Sequence, residues 1–219
     1  MNKLKDDVMF QAQLENLKKG KDLPLGEKIK FYWSFFKIQI IIIVFVICIT
    51  ISLISTIFFS ADTYLYGAFA NTNDFLSVSD EEFAKRFLND ISIDTKKNKM
   101  SFESSLVFSD QQEMYALSSL YTHISGAEMD FLVCTDEVLD KIGNNGMLAE
   151  IDTISELPEK YKNKIYLYNG KEIGIDISDS PVLKNEKAYD GNKNVIFCFC
   201  VNSPRYDRAV QFLEWLYKE

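Results

Sequence analysis

Between Ile38 and Ala61 the chain carries no charged side chain, and from Ile38 to Ser60 it is almost wholly Ile, Val, Phe and Leu. As a helix those residues rise about 34 Å at roughly 1.5 Å per residue, enough to cross a hydrocarbon core about 30 Å thick. A helix buried in a water-soluble protein keeps a polar stripe, and this run has none. Its few polar groups, among them Thr50, Ser52, Ser55 and Thr56, are tolerable because hydroxyls bond back to the helix backbone. The run reads as a transmembrane helix and divides the chain into a segment over 1–37, the span over 38–60 and a domain over 61–219.

The flanks orient the span. Residues 1–37 carry eight lysines, whereas the first basic residue beyond the span is Lys85. Lys and Arg bias marks the cytoplasmic side, so the expectation is an N-terminus inside and a C-terminal domain outside, at a cell membrane. Tyr32, Trp33, Phe35 and Phe36 at the inner interface and Tyr64 and Tyr66 at the outer one fit aromatic belts. The apolar core exceeds the 7–15 residues of a signal peptide and no A-x-A site follows it. It is therefore read as an uncleaved signal anchor, with the lipid bilayer as its first partner. Eight lysines against five acids give the inner segment +3, which leaves −11 for the remainder of a chain whose net charge is −8. So acidic an outer domain disfavours nucleic acid as a partner.

Three cysteines lie beyond the span: Cys134, Cys198 and Cys200. An odd count is no disulfide framework; buried thiols, or one bridge from Cys134 to either of the others, are the readings left. With a single histidine, His123, no zinc cluster is in view. No cofactor and no metal are expected. The chain also lacks G-x-S-x-G, G-x-x-x-x-G-K-[ST] and H-E-x-x-H, so it is not read as an enzyme.

Residues 2–19 have helical propensity and a partial apolar stripe, suiting a surface helix or one that docks a cytoplasmic partner. Outside, strands and helices alternate. Strands are predicted over Asp62–Ala70, Met100–Phe108, Met129–Cys134 and Val195–Val201, and helices from Asp80 to about Asn89, from Gln111 to about Ser125, over Asp136–Ile142 and over Arg205–Lys218. Ser79, Ser109 or Asp110, and Thr135 are placed to cap the first three helices. Asn169–Gly170 signals a hairpin between Ile165–Tyr168 and Ile173–Ile177, Gly174 a bulge and Asp179–Pro181 a loop. The alternation predicts an α/β domain with a largely parallel sheet and helices on both faces.

The stretch from Ile124 to Cys134, with Thr135–Leu139 and Gly146–Asp152 after it, resembles the type 2 periplasmic (solute-binding) proteins, as does the tail Val201–Leu216. The whole layout is similar to a group of Gram-positive bacterial single-pass membrane proteins that carry a shortened solute-binding-like domain. The resemblance implies one lobe of such a fold, because the outer domain is too short for two. It implies an extracytoplasmic module that scaffolds a membrane or envelope protein partner, or one that still binds a small polar solute for sensing or transport. In open parallel sheets ligands sit at the carboxyl ends of strands. The candidate residues there are Asn71, Thr72, Ser109, Asp110, Thr135 and Asp136, a polar rim that also reads as ordinary helix caps. Asp130 is read as a turn or strand-edge acid, and Asp176–Asp179 as a loop.

Overall fold

The computed structural model describes Glu15 and residues 24–59, 61–73, 79–109, 111–155 and 157–218. The chain divides into two compact units, Met1–Ser60 and Ala61–Glu219.

In the first unit, α1 runs unbroken over Leu25–Phe59. It is the one helix among the described residues long and apolar enough to cross a membrane, over Phe36–Ile54. Ser60, the expected last residue of the span, and the helix expected over residues 2–19, Glu15 apart, lie outside the described residues. Thr50 Oγ1 donates to the Val46 carbonyl at 2.8 Å, the back-bonding that makes a hydroxyl acceptable in such a helix.

The second unit is a mixed α/β domain. Its strands are β1 (Asp62–Ala70), β2 (Asn98–Leu106), β3 (Phe131–Thr135), β4 (Ile165–Tyr168), β5 (Lys171–Asp176) and β6 (Val195–Phe199). Its helices are α2 (Asp80–Asp90), α3 (Glu113–Ser125), α4 (Asp136–Ile142), α5 (Pro181–Asn185) and α6 (Tyr206–Trp215), with 3₁₀ turns over Ile151–Thr153 and Glu159–Lys164. The six strands lie in the order β2-β1-β3-β6-β5-β4.

The expectation of a largely parallel sheet is corrected. β1 pairs in parallel with β2 and β3, but β6 runs antiparallel to β3, β5 to β6 and β4 to β5. The reason is that an apolar run such as Val195–Phe199 reports burial on both faces and carries no information on direction; every residue of β3 and of β6 is buried. The hairpin turn makes β4 and β5 antiparallel, and Asn169 and Gly170 both adopt positive φ, 50° and 80°, as a two-residue type I′ turn requires.

Helices cover both faces. On one face α2, α5 and α6 close over an aromatic core of Phe69, Phe83, Phe87, Phe131, Phe197, Phe212 and Trp215. Phe131 and Phe197 stack across the strands with centroids 5.2 Å apart, and Phe87 meets Phe212 edge-on at 5.0 Å. Gly67 is what admits Phe131, since a Cβ there would fall 2.3 Å from its ring. On the other face α3 and α4 cover Ala68, Leu106, Leu132, Cys134, Ile196 and Cys198.

Helix starts follow the sequence in part. Ser79 caps α2 as expected, its Oγ accepting from the Glu82 N–H at 3.3 Å with Asp80, Glu81 and Glu82 in the first turn. Where a loop was expected after Asp179, Ser180 caps the short α5 with Pro181 just inside it, the arrangement in which proline's missing N–H costs nothing.

Candidate functional site

Because β1, β2 and β3 run the same way, the segments that follow them leave the sheet at one edge. Asn71 and Thr72 follow β1, Ser109 lies beyond β2, and Thr135 and Asp136 join β3 to α4. Asp110 lies outside the described residues.

At that edge these groups mostly bind their own chain. Asn71, held at φ 52°, accepts from the Phe108 N–H through Oδ1 at 2.7 Å. Thr72 Oγ1 donates to the Ser104 carbonyl at 3.4 Å. Ser109 does not cap α3 with its hydroxyl; its carbonyl accepts from the N–H groups of Gln112 and Glu113 at 2.9 and 2.8 Å, and Gln112 holds the cap position. The Asp136 carboxylate accepts from the Glu137 N–H at 3.0 Å and from Asn194 Nδ2 at 3.2 Å. Thr135 occupies the cap position of α4 without making a side-chain cap bond. Its Oγ1 is fully buried and has no hydrogen-bond partner among the described residues.

The turn that follows α5 fills this edge. Tyr189 donates its hydroxyl to the Val133 carbonyl at 3.0 Å. Burial, and then the nearness of Cys134, push its phenol well above the usual tyrosine range, so it stays a donor. The Asn73 N–H donates to the Ala188 carbonyl at 3.0 Å, while its side-chain amide donates to the Lys187 carbonyl at 3.4 Å and to Asp190 Oδ1 at 3.3 Å. Glu186 anchors the turn from behind, accepting from Arg86 at 2.5 Å. That guanidinium in turn lies over Phe83 and Trp215 at 5.1 and 5.5 Å. The phenol thus takes up a carbonyl in the middle of β3.

The opposite edge holds the residue whose role the sequence reading missed. Asp130, expected to be a turn or strand-edge acid, is fully buried. Its carboxylate accepts from the Tyr66 N–H at 2.8 Å, from Ser203 Oγ at 2.7 Å, and from Arg205 Nε at 2.9 and 3.0 Å on its two oxygens. Its own N–H donates to the Tyr66 carbonyl at 2.7 Å and its carbonyl accepts from the Cys200 N–H at 3.0 Å. Asp130 therefore ties β1 and β3 to the turn between β6 and α6. The one available signal was a pair of polar residues, Ser203 and Arg205, in the turn expected before the last helix.

Beside it, α3 stops short of the end of the sheet. This leaves an open recess of about 360 Å³ lined by Thr63, Tyr66, Lys99, Ser101, Ala127, Glu128 and Arg205. His123, at the end of α3, stands edge-on to Tyr66 with centroids 5.3 Å apart and holds Glu128 at 2.8 Å. Burial, followed by the carboxylates of Glu103 and Glu128, raises the Tyr66 phenol. The recess thus joins charged side chains and hydroxyls beside β1 and β2. Among the described residues no group of three or more His, Cys, Asp or Glu side chains is placed to hold a metal ion. Asp176 is engaged by its own loop, accepting from Ser178 N–H and Oγ at 2.9 and 2.6 Å. Cys134, Cys198 and Cys200 are free and buried. Register sets Cys134 opposite Ile196 and Cys198 opposite Leu132, a diagonal for which Cα separations of about 7–8 Å are usual, beyond the reach of a disulfide without backbone movement.

No protein-family model matches the chain, and no curated protein does. Among solved structures, similarity is found to an ABC transporter solute-binding protein from Agrobacterium vitis S4 with bound D-mannitol, at 15% identity, 53% of this chain, 27% of that one and a TM-score of 0.32. A second is an ABC substrate-binding protein from Listeria monocytogenes in complex with cycloalternan, at 17% identity, 52% of this chain, 28% of that one and a TM-score of 0.29. This chain thus covers little more than a quarter of either protein, and superpositions at these scores carry nothing about ligand or activity across to it.

Proposed function

We propose that the chain is a single-pass membrane protein whose α/β domain stands outside the membrane as a non-catalytic interaction module, scaffolding a membrane or envelope protein partner. The observation that carries this reading is the Tyr189 turn, which hydrogen-bonds to Val133 and to Asn73 beside the strand ends, the place where ligands of open α/β sheets sit. The apolar surface free for contact lies elsewhere. Helix α3 turns Met114, Tyr115 and Tyr121 to solvent at 84, 70 and 61% exposure, and Met and Tyr are residue types enriched in protein contact surfaces. The lysine asymmetry about the span supports the orientation.

Affinity purification of the full-length protein in mild detergent tests this. A stoichiometric partner is expected, lost when Met114, Tyr115 and Tyr121 are changed together to Ser and retained when Lys99 is changed to Ala. An unaccompanied monomer sinks the scaffold reading.

One observation favours a second reading, a membrane-tethered binder of a small polar solute that senses or delivers it. Thr135 Oγ1 is an unsatisfied buried hydroxyl at the same edge, and such groups cost free energy unless a partner arrives. Saturable thermal stabilisation by a sugar or amino acid, abolished by Thr135→Val or Asp136→Ala, would establish it in place of the first.

A further inference from the structure

Helix α1 is longer than a bilayer core requires. Its 35 residues rise about 52 Å at roughly 1.5 Å per residue, against a core of about 30 Å. The apolar stretch begins at Phe36, so Leu25–Phe35 adds about 16 Å of continuous helix on the N-terminal side. This extension is two-faced. Glu27, Lys30 and Ser34, with Lys37 one residue inside the apolar stretch, recur at spacings of three, four and three, which lines them along one stripe. Leu25, Ile29 and Trp33 recur at spacings of four on a different side, and all three are exposed. Within the polar stripe Lys30 and Lys37 flank Ser34, whose hydroxyl is turned back onto the Lys30 carbonyl at 2.9 Å. The two ammonium groups thus bracket a small residue. Neither has a carboxylate partner among the described residues. They stand about 10 Å apart along the axis, more than the depth of one headgroup layer, about 5–7 Å, but lysine stems that bend toward the interface can bring both ammonium groups into it.

We propose that Lys30 and Lys37 form a binding stripe for the phosphate groups of anionic phospholipids in the leaflet on the N-terminal side, with Trp33 seated at the same level. The occupant follows from charge: two cations without an ion-pair partner among the described residues, beside an aromatic anchor at the N-terminal border of the apolar stretch, match an anionic lipid surface and have nothing to offer a zwitterionic one beyond what any helix does. This rests on the membrane-spanning reading of α1.

The test uses the full-length protein in mild detergent, titrated with phosphatidylglycerol, phosphatidylcholine or inorganic phosphate and followed by native mass spectrometry. Phosphatidylglycerol is expected to be retained saturably and in preference to phosphatidylcholine, with no retention of phosphate. Lys30→Ala and Lys37→Ala should each weaken phosphatidylglycerol about fivefold, since a lysine near an anionic surface contributes on the order of 1 kcal/mol. Lys85→Ala, in α2, should change nothing. Equal retention of the two lipids, undiminished phosphatidylglycerol binding by the Lys30 and Lys37 variants, or retention of free phosphate at the stripe overturns the proposal. Alkaline extraction of membranes separates the two readings. Release of the wild-type chain sinks the spanning reading together with this one, whereas a chain that stays in the membrane without lipid preference sinks this one alone.

Discussion

Replacing Arg205 with alanine removes the cation that meets Asp130 and leaves a fully buried carboxylate facing only the Tyr66 N–H and the Ser203 hydroxyl. Breaking a buried ion pair from one side costs about 3–5 kcal/mol, because the remaining charge keeps its desolvation penalty and loses its counter-charge. The lower end suits this site, since the Arg205 side chain is 18% exposed and water can enter the vacated space. For a domain of this size each kcal/mol lowers the melting temperature by about 2–4 °C, so Arg205→Ala should melt about 6–12 °C below the parent. Adding Asp130→Asn removes the stranded charge, so the double variant should lose less than the two single losses together, with a coupling of about 0.5–3 kcal/mol. Thermal melts of the full-length protein in mild detergent, followed by intrinsic fluorescence, measure all four corners of the cycle. If Arg205→Ala melts within about 2 °C of the parent, or the coupling is zero, Asp130 is not the hub of that edge.

Other outcomes follow from the same structure. Gly174→Ala places a Cβ 2.4 Å from Ile196 Cγ2 and 3.1 Å from the Phe197 carbonyl oxygen; overpacking of that kind should cost about 1–3 kcal/mol, read as a lowered denaturant midpoint at unchanged slope. Burial raises the thiols of Cys134 and Cys200 well above the usual range, with the Cys198 hydrogen bond adding to the first, so both should resist maleimide at pH 8 in the folded protein and react once denaturant is added, as mass spectrometry would show. At Asp179 partial burial pushes the carboxyl up, but hydrogen bonds from Lys164 and Tyr217 and the Lys164 charge outweigh it and hold it below the usual range. A depressed carboxylate contributes stability above its unfolded value, about pH 4, and loses it as pH falls through the lower folded value. Asp179→Asn should therefore lower the neutral plateau of a stability–pH profile modestly and flatten its acid limb, so that parent and variant converge below about pH 4.

Much of this architecture was legible where local chemistry decides the outcome. Asp62–Ala70 reads as a strand and is β1; Thr135 before two acids marks the start of α4; Asn169–Gly170 forms the hairpin turn. The errors have a common physical root, in that they concern partners distant in the chain. The direction of β6 depends on which strands it enters between, and Asp130 depends on Ser203 and Arg205, more than 70 positions away. The strand-end rim was expected from the positions of caps and turns, whereas Tyr189, which hydrogen-bonds to Val133 of β3, belongs to a segment with no periodicity of its own. The Ser180–Pro181 start of α5 was visible and passed over, because a single helical turn between loops has little apolar pattern to support it.

The strand that arrives last in chain order stands in the middle of the sheet. Phe131 pairs with Phe199 and Ile175 with Phe197, so among the described residues β6 is the one strand that joins the β2-β1-β3 half to the β5-β4 hairpin. Val195–Phe199 therefore has to enter between two partners laid down earlier in the chain, and it pairs with both. Closing loops of this length is slow compared with forming the hairpin, and open strand edges invite the wrong neighbour. Holding the two halves of the sheet together thus falls to five residues, supplied by the last strand among the described residues.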